Sequence, residues 1–199
     1  MMLEIHTFYL NFLEECCYVI YNPDTREAVL VDCGAMREAE GLKIAEFIEN
    51  NGLKPVRHLV THAHFDHIWG ARFVYDKWHL MPEILPQEVE NYTNAVDFMK
   101  DILKRDFTLS LPPYKTINEG QHTILGTEME VLHTPGHTIG SACYYFPSEK
   151  LLFSGDTLFA EGITGRTDFP TGSQTDMESS VERLKKLPQD TKLLPGHRV

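Results

Sequence analysis

Apolar residues in the first third of the chain come in short runs whose periodicity changes twice. Residues 17–21 and 28–31 are β-rich runs on either side of Asn22-Pro23-Asp24-Thr25-Arg26, a turn-forming cluster, and predict a hairpin. After Asp32-Cys33-Gly34 the period lengthens: Ala39, Leu42, Ile44, Ala45, Phe47 and Ile48 recur at helical spacing until Asn51-Gly52 stops the helix. Residues 56–61 then read as a buried-type strand, so the order is strand, helix, strand, a βαβ unit that favours a sheet covered by helices. Further on, 65–78 and 86–103 read as helices, with Pro112-Pro113 closing a loop-rich middle. Strands are predicted over 128–133, 142–146 and 151–154, a helix over 177–187 that ends at Pro188, and a last short strand over 192–194. With no repeat, low-complexity tract or linker, residues 1–199 predict a single α/β or α+β domain.

Composition narrows the possible partners. Hydrophobic residues make up 42% of the chain, which is too many for a disordered one. The net charge of −11 would repel a phosphate backbone, so no nucleic-acid partner is expected. The N-terminus lacks a basic region, and the apolar stretch after it is broken by Asn11, Glu14 and Glu15, which predicts neither a signal peptide nor a membrane span. Cys16, Cys17, Cys33 and Cys143 form no CxxC pair and predict buried, reduced thiols in a cytoplasmic protein. One count stands out: the chain has 10 histidines.

The histidines point to a metal. Thr61-His62-Ala63-His64-Phe65-Asp66-His67 follows an apolar strand directly. In extended chain, residues two apart share a face, so His62 and His64 can aim two imidazoles at one point beyond the strand end. Asp66 and His67, at the start of the next helix, can supply an oxygen and a nitrogen to a second point nearby. Two adjacent N/O sites suit borderline divalent ions: zinc, or iron or manganese. Three more candidates sit in Gly-containing loops just past predicted strands: His137 in Pro135-Gly136-His137-Thr138, Asp156 in Ser154-Gly155-Asp156-Thr157, and His197 in Pro195-Gly196-His197. Two divalent ions sharing a water would make hydroxide available near neutral pH.

In this order and at these separations, THAHFDH, PGHT, SGDT and PGH resemble the metallo-β-lactamase superfamily over nearly the whole chain. Gly165-Arg166-Thr167-Asp168-Phe169-Pro170 is similar to the segment found in single-domain glyoxalase II-like (hydroxyacylglutathione hydrolase-like) members and in persulfide dioxygenases. The resemblance implies a four-layer αβ/βα sandwich of two mixed sheets flanked by helices, with the site at the edge where the sheets meet. It implies that His62, His64 and His137 hold one metal, that Asp66, His67 and His197 hold a second, and that Asp156 bridges them. Asp66 could also orient the nucleophile or pass a proton. The implied activity is hydrolysis of a small thioester such as S-lactoylglutathione. There is no room in 199 residues for the helical domain with which two-domain glyoxalase II enzymes help hold glutathione, so the thiol is left open.

Alternatives and lesser candidates follow from the same residues. In a persulfide dioxygenase, one iron would be held by His62, His137 and Asp156 alone; a catalytically weak metal-binding module is a third reading. Asp32, after the 28–31 strand, either hydrogen-bonds a ligand histidine or caps a turn. Arg166 either meets an anionic substrate or pairs with Asp168. His133, on a strand, and His122, in a polar loop, are read as non-ligands, and His6, His58 and His79 have no supporting pattern. His197, followed by Arg198 and Val199, lies where a chain end is expected to fray.

Overall fold

The structure, a computed structural model, describes residues 2–104, 106 and 109–198; Val199, the last residue of the end expected to fray, lies outside them. Two mixed sheets face one another. The first holds β1 (Glu4–Leu10), β2 (Glu15–Tyr21), β3 (Glu27–Val31), β4 (Lys54–Leu59), β5 (Pro82–Ile84) and β6 (Lys115–Thr116), in that order. In the second, the order is β11 (Lys192–Pro195), β10 (Leu151–Gly155), β9 (Ala142–Phe146), β8 (Thr127–His133) and β7 (Gly120–Ile124). The predicted hairpin is β2 and β3, and β3 runs parallel to β4 through helix α1 (Glu38–Asn50), which completes the βαβ unit.

Period-two alternation sorts the strand side chains into layers. From β2, Cys16, Tyr18 and Ile20 join Met129, Val131, Tyr144, Phe146 and Phe153 in the core between the sheets. Their neighbours Cys17, Val19 and Tyr21 face outward against Ile44 and Ile48 of α1. On the far side, Leu132, Cys143, Tyr145 and Leu152 pack against Leu184 of α5 (Gln174–Leu184). Strands buried on both faces read as continuous apolar runs, and helices on both outer faces complete the αβ/βα sandwich. All four cysteines are free and buried.

Several expected boundaries move, each for a physical reason. The 56–61 strand is Lys54–Leu59, because the Thr61 N–H donates to the Asp32 carboxylate (2.7 Å) instead of continuing a ladder. The 65–78 helix is two helices, α2 (Phe65–Ile68) and α3 (Ala71–Trp78). Its hydrogen bonds are diverted at the break: the Gly70 N–H donates to the Cys33 carbonyl (2.8 Å), and the Asp66 carbonyl accepts from the Asn11 side chain (3.1 Å). Only glycine fits at residue 70, where a Cβ would lie 2.5 Å from the Cys33 sulfur. The 86–103 helix opens as a 3-10 turn, Pro86–Glu88, before α4 (Val89–Leu103). The C-terminal helix starts at Gln174, ahead of the expected 177, because the Ser173 hydroxyl accepts from the Asp176 N–H and caps it. His122 lies on β7, contrary to the expected loop, because Leu125 and Gly126 (φ 55° and 79°) close a two-residue hairpin between β7 and β8.

Candidate metal centre

The ends of four strands meet at one edge of the sandwich. His62 and His64 follow β4, and Asp66 and His67 begin α2. His137 lies between β8 and β9, Asp156 follows β10, and His197 follows β11. The structure brings all seven together in overlapping groups: His62, His64 and His137; His62, His67 and Asp156; and Asp66, His67 and His197, with the ligating atoms of each group within 4.8 Å of one another.

Their outer hydrogen bonds fix which ring nitrogens carry protons. His67 Nδ1–H donates to the Asp32 carboxylate (2.9 Å), His137 Nδ1–H to the Arg166 carbonyl (2.7 Å), and His197 Nδ1–H to the Leu13 carbonyl (2.9 Å). The Thr61 hydroxyl donates to Asp32 (2.8 Å), so it accepts from His62 Nδ1–H (3.1 Å). As neutral imidazoles, His62, His67, His137 and His197 then turn Nε2 lone pairs inward, and His64 presents Nδ1 to the same space. That Nδ1 lies 3.1 Å from His62 Nε2 and 2.8 Å from His137 Nε2, while His67 Nε2 is 3.2 Å from His197 Nε2. Lone pairs so close repel unless a cation lies among them. Asp156 adds an orphan: its Oδ1 is buried with no hydrogen-bond partner, and its Oδ2 is 3.4 Å from both His137 Nε2 and His197 Nε2. Asp66 Oδ2 is 3.3 Å from His197 Nε2. Imidazole nitrogens, four of the five rings held by a hydrogen bond at Nδ1, together with carboxylate oxygens fit divalent cations.

The charges agree. Burial holds the His64 imidazole down at about 3, and burial with neighbouring imidazoles lowers His62. Against burial, the Asp156, Asp32 and Asp66 carboxylates raise His67 well above its usual value. Burial is likewise overcome at His197, where hydrogen bonds to Asp156 and Asp66 push it up to about 9. Two protons on facing Nε2 atoms 3.2 Å apart would collide, so the positive charge these carboxylates call for is better met by a metal ion.

His197 is pinned, contrary to the expected fraying. The Gly196 N–H donates to the Gly155 carbonyl (2.8 Å), the Cys16 N–H to the Gly196 carbonyl (2.8 Å), and the Arg198 N–H to the Glu14 carbonyl (3.1 Å). Asp32, buried in left-handed backbone (φ 56°), contacts His67 and Thr61 as described. Arg166 forms a bidentate pair with Asp168 (2.7 and 2.8 Å) and lies over the Phe169 ring at 3.9 Å. His133 and His122 bond to the Ile139 and Asn118 carbonyls, outside the grouped ligands.

Two contributors had no sequence pattern to give them away. Thr61 links Asp32 to His62. Glu88, fully buried, accepts from the Ala63 N–H (2.8 Å), between His62 and His64, and from the Thr138 hydroxyl (2.9 Å) and Gly140 N–H (3.0 Å), just past His137. Asn91 of α4 donates a fourth hydrogen bond (3.0 Å). A lone Glu in a Pro-led turn looks like any surface residue. Above the ligands, a cavity of about 490 Å³ opens over His64, Asp66, His137 and Asp156.

The metallo-β-lactamase superfamily model matches residues 13–197, which include all seven clustered side chains. The chain belongs to this superfamily. Its relatives in the superfamily include a probable metallo-hydrolase, YqgX, of Bacillus subtilis, 38% identical over 161 residues that cover 79% of this chain and 75% of that protein. Another is a hydroxyacylglutathione hydrolase of Xylella fastidiosa, 33% identical over 181 residues, 90% of this chain and 58% of that protein. Among solved structures of the same fold, TTHA1623 in a di-iron-bound form superposes with a TM-score of 0.83 at 30% identity, covering 98% of this chain and 92% of that one. The chain is thus a member of a metallo-hydrolase superfamily, with a His/Asp cluster suited to divalent ions.

Proposed function

We propose that this protein is a binuclear metal-dependent thioesterase of the glyoxalase II-like type, cleaving small thioesters such as S-lactoylglutathione. The observation that carries the reading is the convergence of inward-facing lone pairs from His62, His64, His67, His137 and His197 on the carboxylates of Asp66 and Asp156. The hydroxyacylglutathione hydrolase relative supports the reaction class. His62, His64 and His137 would hold one ion and Asp66, His67 and His197 the other, with Asp156 between them. When bound, the ions supply Lewis acidity that brings a water near neutrality in pKa and polarises a carbonyl. Zinc fits the nitrogen-rich set; the di-iron form of TTHA1623 favours iron as the other choice.

The chain's own residues do the rest. Asp32 holds the His67 ring in the tautomer that turns Nε2 inward, and the Arg166 and Leu13 carbonyls do the same for His137 and His197. Asp66 lines the cavity floor, where its carboxylate can orient a water and take its proton. A thiol leaving group departs as thiolate with little need of an acid. The test is metal content measured together with turnover of S-lactoylglutathione. Two metals per chain with thioester cleavage is the expected result. One iron per chain with oxygen uptake on glutathione persulfide would show a dioxygenase instead. Failure of the loaded protein to cleave any of a panel of thioesters, lactones and phosphodiesters would leave a binding module.

A further inference from the structure

Outside the ligands, the cavity over the metal centre is walled mainly by rings and aliphatic groups: Phe12, Phe65, Phe98, Ile102, Phe159 and Phe169. Its volume, about 490 Å³, lies in the range that encloses a small organic ligand. The wall begins at the ligands themselves. Phe98 stacks on the His64 ring with centroids 5.8 Å apart, Phe169 meets that ring edge-on at 5.5 Å, and the two phenyl rings contact each other at 5.4 Å. At the rim, Phe12 is 65% exposed and Ile102 37%, so among the described residues large apolar side chains face water there.

Charge points the same way. Among the described residues lining the cavity, Arg166 is the one cationic side chain, and its guanidinium is already committed to Asp168 through two hydrogen bonds and to the Phe169 face. That pair already offsets its charge, so an anionic substrate meets a guanidinium with a carboxylate beside it, on a chain whose net charge is −11. Apart from the ions the centre would hold, glutathione, with two carboxylates and one ammonium, meets on this lining one guanidinium that is already paired, whereas a phenyl or branched alkyl group meets phenyl and aliphatic side chains.

We infer that the preferred substrate carries an uncharged, apolar acyl arm, aromatic or branched, held against Phe98 and Phe169 beside the reacting carbonyl. This rests on the hydrolase reading above and specifies its substrate class. The experiment compares thioesters that share one neutral thiol, the phenylacetyl and lactoyl thioesters of N-acetylcysteamine, with S-lactoylglutathione as the charged reference. On metal-loaded protein, kcat/KM for the phenylacetyl thioester should exceed that for the lactoyl one by about tenfold or more, the span that apolar pockets usually give. Phe98→Ala should narrow that ratio. Asp168→Asn, which frees Arg166, should raise kcat/KM for S-lactoylglutathione relative to the phenylacetyl thioester. A binding measurement needs no turnover: by calorimetry on the loaded protein, the neutral phenylacetamide should bind about tenfold tighter than acetamide. Equal or reversed preference, or a Phe98→Ala variant that lowers both thioesters in parallel, would overturn the inference and leave the thioesterase reading standing. If no thioester is cleaved, that reading fails, and the calorimetric ratio still decides whether the cavity selects apolar arms.

Discussion

Asp156 shows how much one side chain can be asked to do. Its two oxygens lie 3.4 Å from His67 Nε2 on one side and from His137 and His197 on the other, and Oδ1 has no protein hydrogen bond to lose. Asp156→Asn keeps the shape and removes the charge, so we expect the variant to fold, to lose most bound metal, and to fall at least about a hundredfold in turnover. Circular dichroism and metal analysis read the first two; near-wild-type turnover would refute the bridging assignment. His58 makes a different prediction. It is completely buried with neither ring nitrogen partnered, and burial lowers its pKa from 6.5 to about 3. The unfolded chain therefore binds a proton that the folded one refuses between those values, and stability drops as pH falls below about 6.5. The slope approaches about 1.4 kcal/mol per pH unit for one such group. Urea midpoints measured from pH 7 to pH 4 should show this dependence, and His58→Leu should reduce the slope by that one-proton share, with the lowered His62 and His64 supplying the rest.

At the scale of elements, the centre depends on loops that ordinary helix and strand rules do not hold in place. Glu88 ties the loop after β4 to the loop between β8 and β9, and α4 to both. Removing its carboxylate strands two buried backbone N–H groups, of Ala63 and Gly140, each at a cost of about 1–3 kcal/mol. Glu88→Ala should therefore lower stability by roughly 3 kcal/mol in chemical denaturation. Glu88→Gln, which can keep one oxygen toward Thr138, Asn91 and Gly140 while losing the Ala63 bond, should cost less. The sequence made β2, β3, β4, β8, β9, β10 and β11 and the seven ligand candidates legible where chemistry and period were local, as with paired histidines at a strand end and Gly-containing loops after apolar runs, and left β1 and β7 unread. It hid what depends on contacts distant in the chain. Asn11 ends α2 from 55 residues away, Glu88 reaches Gly140 from 52, and both look like unremarkable polar positions. The three-residue β5 and two-residue β6 are too short to show a period, and the β7–β8 turn uses Leu125-Gly126, which lacks the usual Asn-Gly signature.

For the whole molecule, the distribution of ligands matters more than their number. Four of the proposed ligands come from the edge of the first sheet and three from the second, so a bound ion would connect the two halves of the sandwich. Its binding is linked to protons. With the His197 proton held up to about 9 by Asp156 and Asp66, any ion at that position must displace it. Apparent affinity should therefore fall by up to about tenfold for each pH unit below 9, per proton released, and calorimetry in buffers of different ionisation enthalpy should detect the release. Removing the metal with a chelator should lower Tm, by an amount set by ligand concentration over Kd.

The separation between His67 and His197, 130 residues, also has a kinetic consequence. A contact that spans so much chain closes late, after the sheets have formed, because the entropy of joining distant segments must be met first. The ion should then be absent from the transition state for folding and present only in the finished protein. On that basis, adding metal should leave the refolding limb of a chevron unmoved and slow the unfolding limb, so that the centre acts as a latch on the lifetime of the native state.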